Sequence, residues 1–241
     1  MGKHQKRIAA PRSWKIERKT SHWAVRPRQG PHPRDLSMPL LLIVRDMLQL
    51  ADNSREAKRI LNEGNVIVNG RVRKDRKFPV GVFDILSIPL LKAHYLVLLD
   101  KKDKLSLVKI NTRSASKKLC RVNGKRMIKE GAIQLNLHDG RNVLPGEAGA
   151  EIKTHDSLLV SIPDNKILKH FAYKEGSNVV VIGGKHSAQT GVIEEIKKVH
   201  SPQPNVVRIK SRENEVTFES REDTVFVVGD KKIEVPGLSA L

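Results

Sequence analysis

The apolar positions of the chain change their period once within Asn53–Lys74. Ala57, Ile60 and Leu61 recur at three- and four-residue spacing, which predicts one buried face of a helix. Asn53 is a good N-cap with Glu56 three residues on, and Gly64 stands where a helix ends in a left-handed residue. The pattern then shortens to Val66-Ile67-Val68, Asn69-Gly70 and Arg71-Val72-Arg73. Asn-Gly between apolar runs predicts a tight hairpin, because both turn residues tolerate positive φ. A second helix is predicted from Pro39 to about Leu50, where Leu40, Val44, Met47 and Leu48 keep a helical repeat. Both helices should back onto the hairpin strands and the apolar segment near Ile85–Ile88.

From Tyr95 onward the pattern becomes that of short strands. Runs at 95–99, 105–110, 119–122, 133–137, 158–162, 179–182, 206–209 and 225–228 are separated by turn residues. Such regular short runs predict small sheets or barrels rather than a parallel α/β domain.

Charge changes the picture from fold to partner. The 241 residues hold 45 Lys and Arg against 26 Asp and Glu, a net charge of +19. That excess points to a polyanion: RNA, DNA or an anionic membrane surface. The apolar run Leu40–Val44 is far too short to span a bilayer. The opening MGKHQKR has no signal-peptide core, and Lys6 stands where myristoylation wants Ser or Thr. A cytosolic protein is therefore expected, without membrane or small-molecule partners. Cys120 is the single cysteine, and no histidine pair has metal-ligand spacing. No metal and no cofactor are expected, and Cys120 should fill a core gap.

The cations sit at ordered places. Arg55, Lys58 and Arg59 share the helix face opposite Ala57, Ile60 and Leu61. Arg55 and Arg59 repel each other by a few tenths of a kcal/mol, a cost that an anionic partner removes. Asn69, Arg71, Arg73 and Lys74 follow on the hairpin. Further turns carry cations directly after them: Asn123-Gly124-Lys125-Arg126, Asp139-Gly140-Arg141, Gly184-Lys185 and Asp230-Lys231-Lys232. Glycine lets the backbone approach a surface and offers N–H groups to phosphate, and the cation adds charge. Lysine after a turn is also ordinary solvation, so only the repetition carries weight.

Residues 1–38 read as an extended basic tail. Lys3, Lys6, Arg7, Arg12, Lys15, Arg18, Lys19, Arg26, Arg28 and Arg34 face only Glu17 and Asp35, and four prolines interrupt helix. With so little apolar content the tail should be disordered alone and ordered on a partner. Trp14 and Trp23 either stack on unpaired bases or pin the tail to its own body.

No catalytic constellation accompanies these cations. Gly183-Gly184-Lys185-His186-Ser187 lacks the first glycine and the final Ser or Thr of a phosphate-binding loop. The acidic pairs Glu194-Glu195 and Glu222-Asp223 lie in polar surroundings that suggest solvated surface.

The block from Ser54 to Val72, with Pro79, Asp84 and Ile85 beyond it, resembles the alpha-L RNA-binding module; Phe83 replaces the glycine usual before that aspartate. Gly176, Val179–Gly184 and Thr190–Ile193 resemble a KOW motif. A basic tail opening GKHQKRIAAPRSW, then the module, a β-rich centre and KOW, together resemble the archaeal and eukaryotic S4e family of small-subunit ribosomal proteins, in its archaeal form. The resemblance implies an α+β, multi-domain chain: a tail over 1–38, the module over 39–92, a β-rich domain over 93–172 and a KOW-containing, SH3-like barrel over 173–241. It implies binding to small-subunit ribosomal RNA beside neighbouring ribosomal proteins, a role in ribosome assembly and translation, no catalysis and no homo-oligomer. A KOW-bearing transcription or translation factor and an RNA-modifying enzyme with an alpha-L module are the alternatives.

Overall fold

The computed structural model describes residues 4–128, 131–212, 216–230 and 233. It divides into two compact units, Met1–Leu99 with Asp103–Lys118, and Asp100–Lys102 with Leu119–Leu241.

The first unit opens with the ribbon β1 (Gln5–Lys6) and β2 (Trp23–Ala24), then β3 (Ser37–Pro39). Helix α1 (Leu40–Leu42) widens into a looser turn at Ile43–Met47, and Gln49, at φ 52°, ends the helical path. Leu40–Val44 are buried, so this helix is apolar all round rather than amphipathic. Helix α2 (Ser54–Asn62) follows. The strands are β4 (Ile67–Val68), β5 (Arg71–Val72), β6 (Pro79–Gly81), β7 (Ile85–Ile88), β8 (Ala93–Leu99) and β9 (Leu105–Ile110). β3 pairs with β6, and the other five form one antiparallel sheet ordered β5-β4-β7-β8-β9. This sheet runs straight through the domain division expected at residue 92: Ile85 pairs with Leu96 and Leu86 with Tyr95. Residues 93–110 therefore pair into the same sheet as β4, β5 and β7, with Leu96–Leu99 buried in one run rather than alternating.

The basic tail departs from the disorder expected of it. Trp14 is 1% exposed, and its indole Nε1–H donates to the Ser37 carbonyl at 2.6 Å. Arg7 is buried against the Glu17 carbonyl, and Arg18 donates to the carbonyls of Ile8, Ala10 and Pro11. Cations thus solvate the tail's own backbone, which a count of apolar residues does not register. Further along, His32 fills the space above Gly81, where any Cβ would collide with the imidazole.

After α3 (Thr112–Ala115), β10 (Lys117–Met127) leads into the second unit. There β11 (Ile133–Leu137), β12 (Asn142–Val143), β13 (Ser157–Ser161) and β14 (Ile167–Phe171) join it in an antiparallel sheet ordered β12-β11-β10-β13-β14. Its core holds Cys120, Val122, Leu135, Leu137, Leu158 and Val160. A further five-stranded antiparallel sheet is ordered β18-β17-β16-β15-β19, from β15 (Asn178–Val181), β16 (Thr190–Lys197), β17 (Val206–Ser211), β18 (Thr217–Arg221) and β19 (Val225–Gly229). Among the described residues no helix is long and apolar enough to cross a membrane.

Candidate nucleic-acid interface

Helix α2 begins as its sequence dictates. Asn53 Oδ1 accepts from the N–H groups of Arg55 and Glu56 at 2.9 and 3.0 Å. Glu56 reaches back as a capping box does, but to the N–H of Asp52 (3.0 Å) and the side chain of Asn53. Ala57 and Leu61 are fully buried, which leaves Arg55, Lys58 and Arg59 exposed on the other face. Arg59 pairs with Glu63 at 3.2 Å on open surface. Such a pair is worth only about 0.3–0.5 kcal/mol, little enough for a phosphate to displace.

At Gly64 (φ 82°) the chain turns, and the hairpin comes to lie beside the helix end. A Cβ on Gly64 would stand 3.3 Å from Val72 Cγ1 and 3.8 Å from Lys74 Cε. Asn69 and Gly70, at φ 50° and 75°, form the left-handed turn that Asn-Gly predicts. Arg71 and Lys74 are exposed, whereas Arg73 is half-buried with its guanidinium 4.5 Å over the Phe78 ring. Arg28 of the tail approaches the same loop: its N–H donates to the Lys77 carbonyl at 2.8 Å, and its guanidinium is 3.6 Å from Asp75. The result is a surface of cations from one helix, one hairpin and the tail. It can neutralise phosphates.

Beneath the hairpin lies the group that fixes it. Asp84 is fully buried. Its Oδ1 accepts from Lys118 Nζ at 2.6 Å and from Asn69 Nδ2 at 2.8 Å, and its Oδ2 accepts from the Gly81 N–H at 2.9 Å. His32 Nε2 lies 2.9 Å from Oδ2. Burial pushes the carboxyl up, but Lys118 and His32 pull it further the other way, and it is held well below the usual carboxylate range. Asn69 Oδ1 also accepts from the Ile85 N–H at 2.9 Å. The Asn69 side chain, expected among the RNA contacts, is thus turned inward and anchors the turn. Phe83 takes up φ 65° with its ring buried, so a bulky residue does what glycine usually does before this aspartate.

Comparison with known proteins decides what carries this surface. Residues 38–86 match the S4 domain, residues 1–35 the RS4NT (NUC023) domain, and residues 91–167 the Ribosomal family S4e. The small ribosomal subunit protein eS4 of Methanocella arvoryzae is 45% identical over 239 residues, covering 99% of each chain. That of Archaeoglobus fulgidus is 42% identical over 233 residues, covering 97% of this chain and 96% of its own. The chain belongs to the S4e family of ribosomal proteins. The crystal structure of the 30S ribosomal protein S4e from Thermoplasma acidophilum is 34% identical and superposes with a TM-score of 0.69, over 83% of this chain and 98% of the other.

Several cations expected to contact RNA also bond within the chain. Arg141 is half-buried: its Nε donates to Asp139 at 2.7 Å and its Nη1 to Asn165 at 2.6 Å. Lys125 Nζ donates to the carbonyls of Ala150 and Ile152 at 2.9 and 3.0 Å. Arg7, Arg18 and Trp14 hold the tail, as described, and Arg26 is half-buried. The burial of Trp14 withdraws it from base stacking. Lys6, Arg12, Lys15, Lys19, Arg126 and Lys185 are exposed, Lys185 beside the left-handed Gly183 and Gly184. Lys3, Lys231 and Lys232 lie outside the described residues. Sequence reasoning stopped the hairpin run at Lys74, yet Arg76 is exposed in the same loop and its basic neighbours were signal enough. Among the described residues no group of three or more His, Cys, Asp or Glu could hold a metal ion.

Proposed function

We propose that this S4e-family chain is a structural protein of the small ribosomal subunit that holds folded ribosomal RNA through phosphate neutralisation. The observation that carries the reading is the exposed cationic surface of α2 and the β4–β5 hairpin, set on a buried ion pair in a unit whose sequence matches the S4 domain. Arg55, Lys58, Arg59, Arg71 and Lys74 make the main contacts, with Arg73, Arg76 and Arg28 at the margin. Lys6, Arg12, Lys15 and Lys19 of the tail, with Arg126 and Lys185 in the second unit, supply further charge. Affinity then comes chiefly from counterion release and shape rather than from base identity. We assign residues 173–241 a KOW-type, SH3-like role, for which the all-antiparallel sheet of β15–β19 is the support. Functionally the chain divides into tail, module, β-rich centre and KOW segment, with neighbouring ribosomal proteins as further partners and the ribosome in the cytoplasm as its place. A sucrose-gradient profile of cell extract tests the reading: the protein should sediment with small subunits. Sedimentation with RNA polymerase instead would contradict it.

A further inference from the structure

We propose that Trp23, flanked by His22 and His4, forms a stacking platform for an unpaired nucleobase. The inference rests on the RNA-binding reading above and adds to it one base contact outside the α2–hairpin surface. The tail's two tryptophans have opposite fates. Trp14 is buried and hydrogen-bonded, whereas Trp23 is 53% exposed. A single exposed aromatic is ordinary on a protein surface. Here three rings gather: His22 lies edge-to-face at 4.5 Å and 79°, and His4 is tilted at 5.4 Å and 50°. Both imidazoles meet the indole at an angle rather than stacking on it, and Trp23 stays half-exposed beside them.

The platform is also held in place. β1 and β2 pair with Lys6 opposite Trp23, and the Arg7 N–H donates to the His22 carbonyl at 3.0 Å. Arg7 and Arg18 fix the flanking loop by bonding its carbonyls. A preorganised indole loses little freedom on binding. The surroundings favour nucleic acid over an apolar protein patch. Lys6 stands across the ribbon from Trp23, Arg12, Lys15 and Lys19 are exposed in the same segment, and Glu17 is the only acid between residues 4 and 28. A base on the indole with its phosphates near these cations is the arrangement used by single-strand binders.

The test is a titration of the full chain with full-length small-subunit rRNA, followed by tryptophan fluorescence and by affinity. Wild type should be quenched on binding, and the Trp23→Phe variant should bind without that quench while keeping most of the affinity. Trp23→Ala should lose affinity about tenfold or more at an unchanged salt slope, because it removes stacking and no charge. Circular dichroism of both variants separates stacking from misfolding, and the Trp23→Phe result stands alone if Trp23→Ala unfolds. Wild-type binding without a Trp23-dependent quench would overturn the platform and leave the RNA reading intact. So would normal RNA binding by Trp23→Ala together with a blue shift of the wild-type Trp23 seen only in assembled subunits, which would make a protein neighbour the occupant. Failure of the wild type to bind rRNA at all would sink the RNA reading itself.

Discussion

Two turns of this molecule have nearly the same sequence and place their arginines differently. Asn69-Gly70-Arg71 and Asp139-Gly140-Arg141 both carry a left-handed glycine, at φ 75° in each, followed by arginine. In the first, the Asx side chain is occupied below by Asp84 and Ile85, and Arg71 is left exposed. In the second, the Asx residue is itself an acid. Asp139 draws Arg141 back over the turn, and Asn165 takes the other end of the guanidinium. The first turn position is neutral in one case and acidic in the other, and the acid pairs with the arginine two residues on. A buried acid fifteen residues on, with its own lysine, keeps the first arrangement open.

The contrast can be broken most severely at its base. Asp84→Asn leaves Lys118 buried without its charge partner and should destabilise the first unit by about 3–5 kcal/mol, read by chemical denaturation. The same pair sets a pH dependence. Because the folded carboxyl is held below its unfolded value, its stabilisation is fully present above about pH 4 and is lost as pH falls through the folded value. Wild type should therefore lose stability steeply in that acid range, and Asp84→Asn should lose less. Next in size, Arg141→Ala removes charge-assisted hydrogen bonds from half-buried groups and should cost about 1.5–3 kcal/mol while leaving the rRNA salt slope unchanged. Asn53→Ala should cost about 1 kcal/mol by uncapping α2, visible as a modest drop in melting temperature. Arg71→Ala is the counterpart of Arg141→Ala. Stability should stay within about 0.5 kcal/mol, while the log–log salt slope of rRNA binding falls in magnitude by about 0.7–0.9. If Arg141→Ala changed the slope and Arg71→Ala changed the stability, the two turns would have been assigned the wrong way round.

Local chemistry made much of this legible. The cap of α2, its stop at Gly64 and the Asn-Gly hairpin follow from residue types alone, and the strands at 105–110 and 133–137 lie where alternation put them. Strand β14 (ILKHF) breaks its apolar positions with Lys169 and His170, and β18 (TFESR) has a single apolar residue, so neither gave an apolar run to read. The deeper misses are long-range. Lys118 shares the inward parity of Cys120 and Val122, which was a usable sign, but its partner lies 34 residues away and no local pattern joins them. The tail was misread for a related reason. Its cations bond the tail's own carbonyls, and one tryptophan supplies the anchoring that a run of leucines would have announced.

The central claim is that exposed cations of α2 and its hairpin hold RNA by charge on a fold they do not stabilise. Titrating small-subunit rRNA against potassium chloride, for wild type and for Arg55→Glu with Arg59→Glu, tests it most directly. Wild type should show a steep log–log slope, and the double variant should flatten it by at least about 1.4 at unchanged circular dichroism. An equal slope in both proteins, or loss of fold in the variant, would contradict the account.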